Sequence, residues 1–411
     1  MKYWEIIIIF LLFLVSLLVR IRFSMPALMG EQVFVGWDDL DYYRLSISLI
    51  QNGTLENIYL ETIFKAYRMP LFPMMLAVIY SIFGQSPQIA YPFLILLGAL
   101  TVIGTYFLGK LVFNPMIGIV AALLICFDFS LIFYNRIIHT ETLFIFLTLL
   151  SMISLEFLMK KKHWTWSIIT GVLFGLSILT RPNLILFIPL VIMWIYLNMN
   201  THKKLVVLNI LIFSCAIGCI WISWVFRNFL ELGAFIPFTT QAGGTYAGIY
   251  NDITSNSPKI TDYGYWVNIP LPDFTGDLNE VDFDRWGKTL AMTWIAEHPK
   301  QAILISLMQF IHLWKPERGS VLDINYFLII LASIIGFVRA IRHGNKSVIL
   351  WSLMIGSLSF MALLTVGLQR YRLVSYPYLA ILAANAFVLS GKKLNTKWKL
   401  SSIFSHDYDM N

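Results

Sequence analysis

Apolar stretches long enough to enter a lipid bilayer recur along almost the whole chain, and they limit its fold more than any other feature. They fall at 4–22, 71–84, 88–109, 116–134, 140–159, 164–181, 183–200, 203–226, 300–314, 322–340, 347–368 and 371–390. A helix needs about 20 apolar residues to cross the hydrocarbon core, because its backbone polar groups must be satisfied within the segment. The stretches at 71–84 and 300–314 are short for a full span. With 58% hydrophobic and 13% charged residues, the chain reads as an all-α polytopic membrane protein with about 11–13 membrane helices.

Lys and Arg number 30 against 23 Asp and Glu, a formal excess of 7. In a soluble chain that balance would suggest nucleic acid. Here the positive charges collect in short loops, KKKH at 160–163, HKK at 202–204, RAIRHGNK at 339–346 and KKLNTKWK at 392–399. This is the bias of cytoplasmic loops, so the bilayer and not nucleic acid is the expected partner. The same rule puts 23–70, the turn at 134–140, Arg181 and 227–299 on the outer side of the plasma membrane. The 71–84 segment then has both ends outside, and reads either as a half-membrane helix or as a local failure of the charge rule.

The organisation that follows is a membrane module at 1–226 with a first outer loop at 23–70, a large outer loop at 227–299, further membrane helices at 300–391, and a cytoplasmic tail at 392–411. Arg20 and Arg22 follow the first apolar run with no small-residue cleavage site, so that run reads as an uncleaved helix rather than a signal peptide. Cys126, Cys215 and Cys219 lie in apolar runs and read as buried thiols, not as disulfide partners or metal ligands. The large loop mixes Gly, Pro, Asn and aromatic residues, which suits irregular structure plus a short helix near 280–297. Its Tyr246, Tyr250, Tyr263, Tyr265 and Trp266 offer apolar faces with polar edges suited to an acceptor sugar.

Charge is concentrated in GWDDLDYYRLSISLIQNG at 36–53. On a helical wheel Asp41, Arg44, Ser48 and Gln51 share one face, as in an amphipathic helix lying in the membrane interface. Asp38 with Asp41 could simply cap that helix. Alternatively an interfacial carboxylate is a general base, its neighbours tuning it. Arg68, ahead of Pro70 and Pro73, is either a snorkelling anchor or a guanidinium fork for a phosphate. His139 and Glu141 in HTET either open a helix or form part of a site, and they are too few to define a metal centre. Arg181-Pro182 reads as a turn between helices. Arg227-Asn228 and Arg370-Tyr371-Arg372 each read as interface anchors. Gathered on one side, these arginines would ring an outer pocket.

In order, WDDLDYYRLSISLIQNG, RMPLFPMMLAVIYSIFG, RIIHTETLF, GLSILTRPN, RNFLELGAFIPFTTQAGG and RYRLVSYPYLA resemble the bacterial GT-C glycosyltransferases. The nearest in pattern are the protein O-mannosyltransferase-like enzymes and the aminoarabinose transferases that modify lipid A. The resemblance runs from about residue 4 to 390. It implies a GT-C fold with short interfacial helices in its outer loops. It also implies transfer of a sugar, with inversion, from a polyprenyl-phosphate donor to a hydroxyl acceptor on the outer face. On this resemblance Asp38 is the base and Asp39 supports it, Arg68 touches the carrier phosphate, and Arg227 assists. His139, Glu141, Arg370 and Tyr371 complete the candidate substrate-binding set.

The pattern also departs from the family. Met69 replaces one proline of the usual pair, and Tyr67 stands where the aminoarabinose transferases carry a metal-binding Glu. No metal and no cofactor are therefore expected. The large soluble domain of the oligosaccharyltransferases is not seen, so transfer to a protein sequon is not expected. No phosphate-binding P-loop or dinucleotide fingerprint occurs in a suitable setting. The rival readings are a polysaccharide polymerase or ligase, which shares lipid-linked substrates, and a membrane transporter, which would more often show inverted repeats.

Overall fold

The computed structural model describes the chain apart from residues 1–2, 32–33, 35, 60–61, 257–265, 268–278, 317–320 and 389–411. The tail at 392–411, Tyr263 and Tyr265 thus lie outside the described residues. The chain opens with α1 (Tyr3–Leu28) and α2 (Trp37–Asn52), then a small hairpin of β1 (Asn57–Tyr59) and β2 (Thr62–Phe64), then α3 (Leu71–Phe83). Next come α4 (Ala90–Val112), α5 (Pro115–Cys126), α6 (Phe129–Tyr134), α7 (Glu141–Lys161), α8 (Trp164–Thr180), α9 (Phe187–Asn198) and α10 (Lys203–Leu232). The large loop carries α11 (Ala242–Ile249), α12 (Asp252–Asn256) and α13 (Glu280–Glu297). The chain then runs through α14 (Pro299–Trp314), α15 (Val321–Arg342), α16 (Ser347–Leu364), a 3₁₀ segment (Gln369–Ser375) and α17 (Tyr376–Phe387).

Among the described residues, α1, α4 with its preceding turn, α7, α10 and α16 are long and apolar enough to cross a membrane. Burial separates them. α7 sits at the centre, while α1 and α10 leave Ile6, Phe10, Leu11, Leu208, Leu211 and Ile222 exposed. Rows of outward-facing apolar side chains suit lipid, where they need no protein cover. The interior joins Leu149, Met152, Phe174, Phe187, Phe213, Trp351 and Tyr378 in one packed cluster.

The apolar run at 116–134 is two helices, not one. α5 stops at Cys126, and Asp128 caps α6 by accepting a 2.9 Å hydrogen bond from the Leu131 amide. A break inside a bilayer frees carbonyl groups that need donors. Arg20, fully buried on α1, donates to the Cys126 carbonyl at 3.3 Å and the Ile125 carbonyl at 3.4 Å. It also holds Asn135 at 2.7 Å and the Ser16 hydroxyl at 2.6 Å.

α3 follows α2 instead of leaving it. Tyr42 meets Phe72 near the start of α3, while Tyr43 meets Tyr80 and donates to the Gln85 carbonyl just past its end. Its 13 residues span roughly 20 Å, short of the roughly 30 Å hydrocarbon core. The thiol expectation needs a correction. Cys126 is buried, but Cys215 and Cys219 are exposed on α10. An apolar run on a peripheral membrane helix has an outer face covered by lipid rather than protein, and both thiols lie there.

Candidate active site

The acids at 38–41 are not helix caps. The N-cap of α2 is Gly36, in extended conformation and without a side-chain capping bond, and the carboxylates take other partners. Successive side chains on a helix diverge by about 100°, whereas those three apart lie on one side. Asp38 and Asp41 therefore share a partner that Asp39 cannot reach.

That partner is Arg68. Its Nη2 donates to Asp38 Oδ1 at 2.5 Å and to Asp41 Oδ2 at 2.8 Å, and its Nη1 donates to Gln241 Oε1 at 3.2 Å. The guanidinium lies 5.5 Å from the Tyr42 ring centroid and 5.1 Å from that of Tyr67. Two aromatic faces and three polar acceptors fix its plane. Asp41 is buried and also accepts from Asn57 Nδ2 at 3.0 Å, which ties the hairpin to α2. Although they share a helix face, Asp41 does not pair with Arg44: Arg44 is exposed, and Asp41 turns inward beneath Arg68.

The other oxygen of Asp38 belongs to Arg370. Nη2 of Arg370 donates to Asp38 Oδ2 at 2.7 Å. Its Nη1 lies 2.9 Å from His139 Nδ1, and its Nε lies 3.4 Å from Glu141 Oε1. His139 in turn pairs through Nε2 with the fully buried Asp39, and its Nδ1 is 3.4 Å from Glu141 Oε2. Neutral, the imidazole can accept from Arg370; protonated, it donates to both carboxylates. Glu141 begins α7, where the helix dipole favours an anion, and it receives Arg181 Nη1 at 2.5 Å. Tyr371 covers both arginines, with Arg181 4.3 Å and Arg370 5.6 Å from its ring centroid. Arg372 points elsewhere, to the Leu313 and Lys315 carbonyls at 3.0 and 2.6 Å. In a 3₁₀ turn, three residues complete a revolution, so residues two apart face different sides.

Burial alone would push the Asp38 carboxyl up, but Arg68 and Arg370 outweigh it and hold it far below the usual carboxylate range. Burial likewise opposes the charge on Arg68 and Arg370, and the facing carboxylates more than restore it. For His139, burial works against protonation, while the hydrogen bonds to Asp39 and Glu141 raise its value above the ordinary 6.5. The Asp38 side chain remains 25% exposed, which makes it the accessible carboxylate of the group. Asp39, Asp41 and Glu141 are buried.

Seven of the residues singled out from the sequence thus meet in one network: Asp38, Asp39, Arg68, His139, Glu141, Arg370 and Tyr371. Arg227 is placed apart. Its Nη1 donates to the Lys65 carbonyl at 2.9 Å and its guanidinium lies 5.2 Å from the Trp224 ring, so it supports the chain leading to Arg68 and does not join the cluster. Sequence reasoning gave Asp41 only a place on the polar face or in the helix cap, read Arg181 as a turn or one of a ring of arginines, and passed over Gln241. For Arg181 a signal existed, an arginine interrupting an apolar run, but Pro182 beside it also fitted an ordinary turn.

Residues 67–226 match the family model of the dolichyl-phosphate-mannose-protein mannosyltransferases. Among solved structures, the Archaeoglobus fulgidus oligosaccharyltransferase tethered with an acceptor peptide aligns at TM-score 0.62 and 14% identity, over 96% of this chain and 50% of that one. The fold is GT-C. The archaeal oligosaccharyltransferase AglB from the same organism, in complex with an inhibitory peptide and a dolichol-phosphate, aligns at TM-score 0.54 and 13% identity, over 100% of this chain and 53% of that one. ArnT from Cupriavidus metallidurans aligns at TM-score 0.38 and 13% identity, over 90% of this chain and 77% of that one. No curated protein matches the sequence. The chain spans about half the length of the oligosaccharyltransferase whose GT-C fold it shares. The matched family segment begins one residue before Arg68 and ends one residue before Arg227, so it takes in His139, Glu141 and Arg181.

Proposed function

We propose that the chain is an inverting membrane glycosyltransferase that moves a sugar from a polyprenyl-phosphate donor to a hydroxyl acceptor at the outer face of the plasma membrane. One observation carries the reading: Asp38, a partly exposed carboxylate, is held between two arginines that come from opposite ends of the chain. Two guanidinium groups converging on one anion form a seat for phosphate. When the donor phosphate takes that seat, it displaces Asp38 from Arg68 and Arg370, and the freed carboxylate regains basicity.

The reaction then balances within this site. The acceptor hydroxyl oxygen attacks the anomeric carbon, its proton passes to Asp38, and the bond from that carbon to the phosphate oxygen breaks. The leaving phosphate keeps the bonding electrons, and Arg68 and Arg370 stabilise the charge that develops on it. Asp39 holds His139, and Glu141 with Arg181 holds Arg370, so these contacts keep the seat rigid. Tyr246 and Trp266 of the large loop, both partly exposed, are proposed to face the acceptor, whereas Tyr250 is buried with its hydroxyl 2.9 Å from Ser306.

The test is purified protein in liposomes, supplied with labelled polyprenyl-phosphate sugars and cell-envelope extract. Label should move to a product in wild type and not in Asp38→Asn. Retention of all label on the donor by the wild type, across hexosyl and pentosyl donors, would count against the reading.

A further inference from the structure

Lys65 and Ala66, three and two residues before Arg68, have every backbone polar group bonded by the large loop or by Arg227 near the end of α10. The amides of Lys65 and Ala66 donate to the Glu280 carboxylate, Lys65 at 2.8 Å and Ala66 at 3.1 Å to the nearer oxygen. The Lys65 carbonyl accepts from Arg227 at 2.9 Å, and the Ala66 carbonyl accepts from the Thr240 amide at 3.0 Å. Glu280 completes its own shell with the Thr240 hydroxyl at 2.8 Å.

Helix capping does not account for Glu280. Asn279 caps α13, accepting from the Val281 and Asp282 amides. Glu280 is 2% exposed, and among the described residues it has no ion-pair partner within salt-bridge distance. Lys65 sends its own ammonium to Glu231 and Glu56 instead. A buried carboxylate is costly unless hydrogen bonds satisfy it, and here the satisfying donors are the backbone that carries Arg68. The residue after Thr240 is Gln241, which holds the tip of the Arg68 side chain.

We propose that Glu280 is a positioning residue for Arg68, so that the large loop sets where the guanidinium stands in the phosphate seat. This rests on the donor role of Arg68 stated above. Glu280 touches neither donor nor acceptor. It acts through the 65–66 backbone, and it joins the side of the site that faces the acceptor to the side that holds the donor.

Two readouts on one set of variants test this. In Glu280→Ala, amide hydrogen exchange at Lys65 and Ala66 should quicken at least tenfold. The donor KM should rise about tenfold or more, with kcat changed much less. Glu280→Gln keeps one acceptor oxygen and should fall between. Thr240→Val, which removes one donor to Glu280 and keeps the side-chain shape, should shift donor KM in the same direction by a smaller factor, and it guards against a poorly folded Glu280 variant. Unchanged exchange at 65–66 in Glu280→Ala would overturn the clamp itself. Faster exchange with an unchanged donor KM would also overturn the proposal. Arg68→Ala then says why: if it too leaves donor KM unchanged, the donor role of Arg68 has failed, and if it raises donor KM, only the positioning by Glu280 has failed.

Discussion

Asp38 and Arg370 stand 332 residues apart in the chain and are joined by a 2.7 Å hydrogen bond. The bond makes Asp38 an anion inside the seat proposed for the donor phosphate. Asp38→Asn should therefore have opposite effects on two measurements. Transfer in a single-turnover assay should fall by about 10²–10⁴ as the base is lost, while a short-chain polyprenyl phosphate should bind more tightly, because its internal competitor is neutral. Weaker phosphate binding in Asp38→Asn would remove the displacement step from the mechanism.

Arg68 offers a planar fork to Asp38, Asp41 and Gln241. Arg68→Lys keeps a charge but not the fork, and Arg68→Ala keeps neither. Donor use should fall about ten- to a hundredfold in the alanine variant and less in the lysine variant. Steady-state kinetics with varied donor gives the answer, and equal values for alanine and wild type would reduce Arg68 to a structural anchor.

Burial ranks Asp41 differently from its place on a helical wheel. Removing it leaves Arg68 and Asn57 short of a partner in a water-poor setting, so Asp41→Ala should cost about 3–5 kcal/mol of stability. The exposed Arg44 on the same helix should tolerate alanine to within about 0.5 kcal/mol. Thermal unfolding in detergent distinguishes them, and similar losses at both positions would mean that the Arg68 pairing adds nothing.

His139 links stability to pH. Its folded value lies above the ordinary 6.5, so the stabilisation it gives is fully present below 6.5 and is lost as pH rises through the raised folded value. Asp38 is depressed, so its contribution persists above its ordinary 3.8 and disappears only as pH falls through the lower folded value. From pH 6.5 upward, melting temperature should therefore decline in wild type, and the His139-dependent part of that decline should vanish in His139→Gln. An identical slope in the two proteins would place His139 outside the titration.

Much of the helical scaffold was legible because apolar runs of membrane length admit few alternatives. The run at 203–226 became α10, and the short helix expected near 280–297 became α13. The hairpin at 57–64 left no trace, since strands of three residues are too brief for a periodic signal. Within the site, residue type marked the right segments but not the partners. One chain of charges does not say that Asp41 turns toward Arg68 and away from Arg44, or that Arg227 grips a backbone carbonyl instead of joining the other arginines. Those choices are made by burial and by contacts across hundreds of residues.

Order of synthesis gives the Asp38 to Arg370 bond one more meaning. A ribosome adding about 5–20 residues per second delivers Arg370 roughly half a minute after Asp38 has emerged. Until then α2 waits with one carboxylate oxygen unclaimed, and α17 has not been made. A nascent chain that stalls before Arg370 can seat most of its helices in lipid, yet its charge network is unfinished, so under the proposed function half-made copies transfer no sugar.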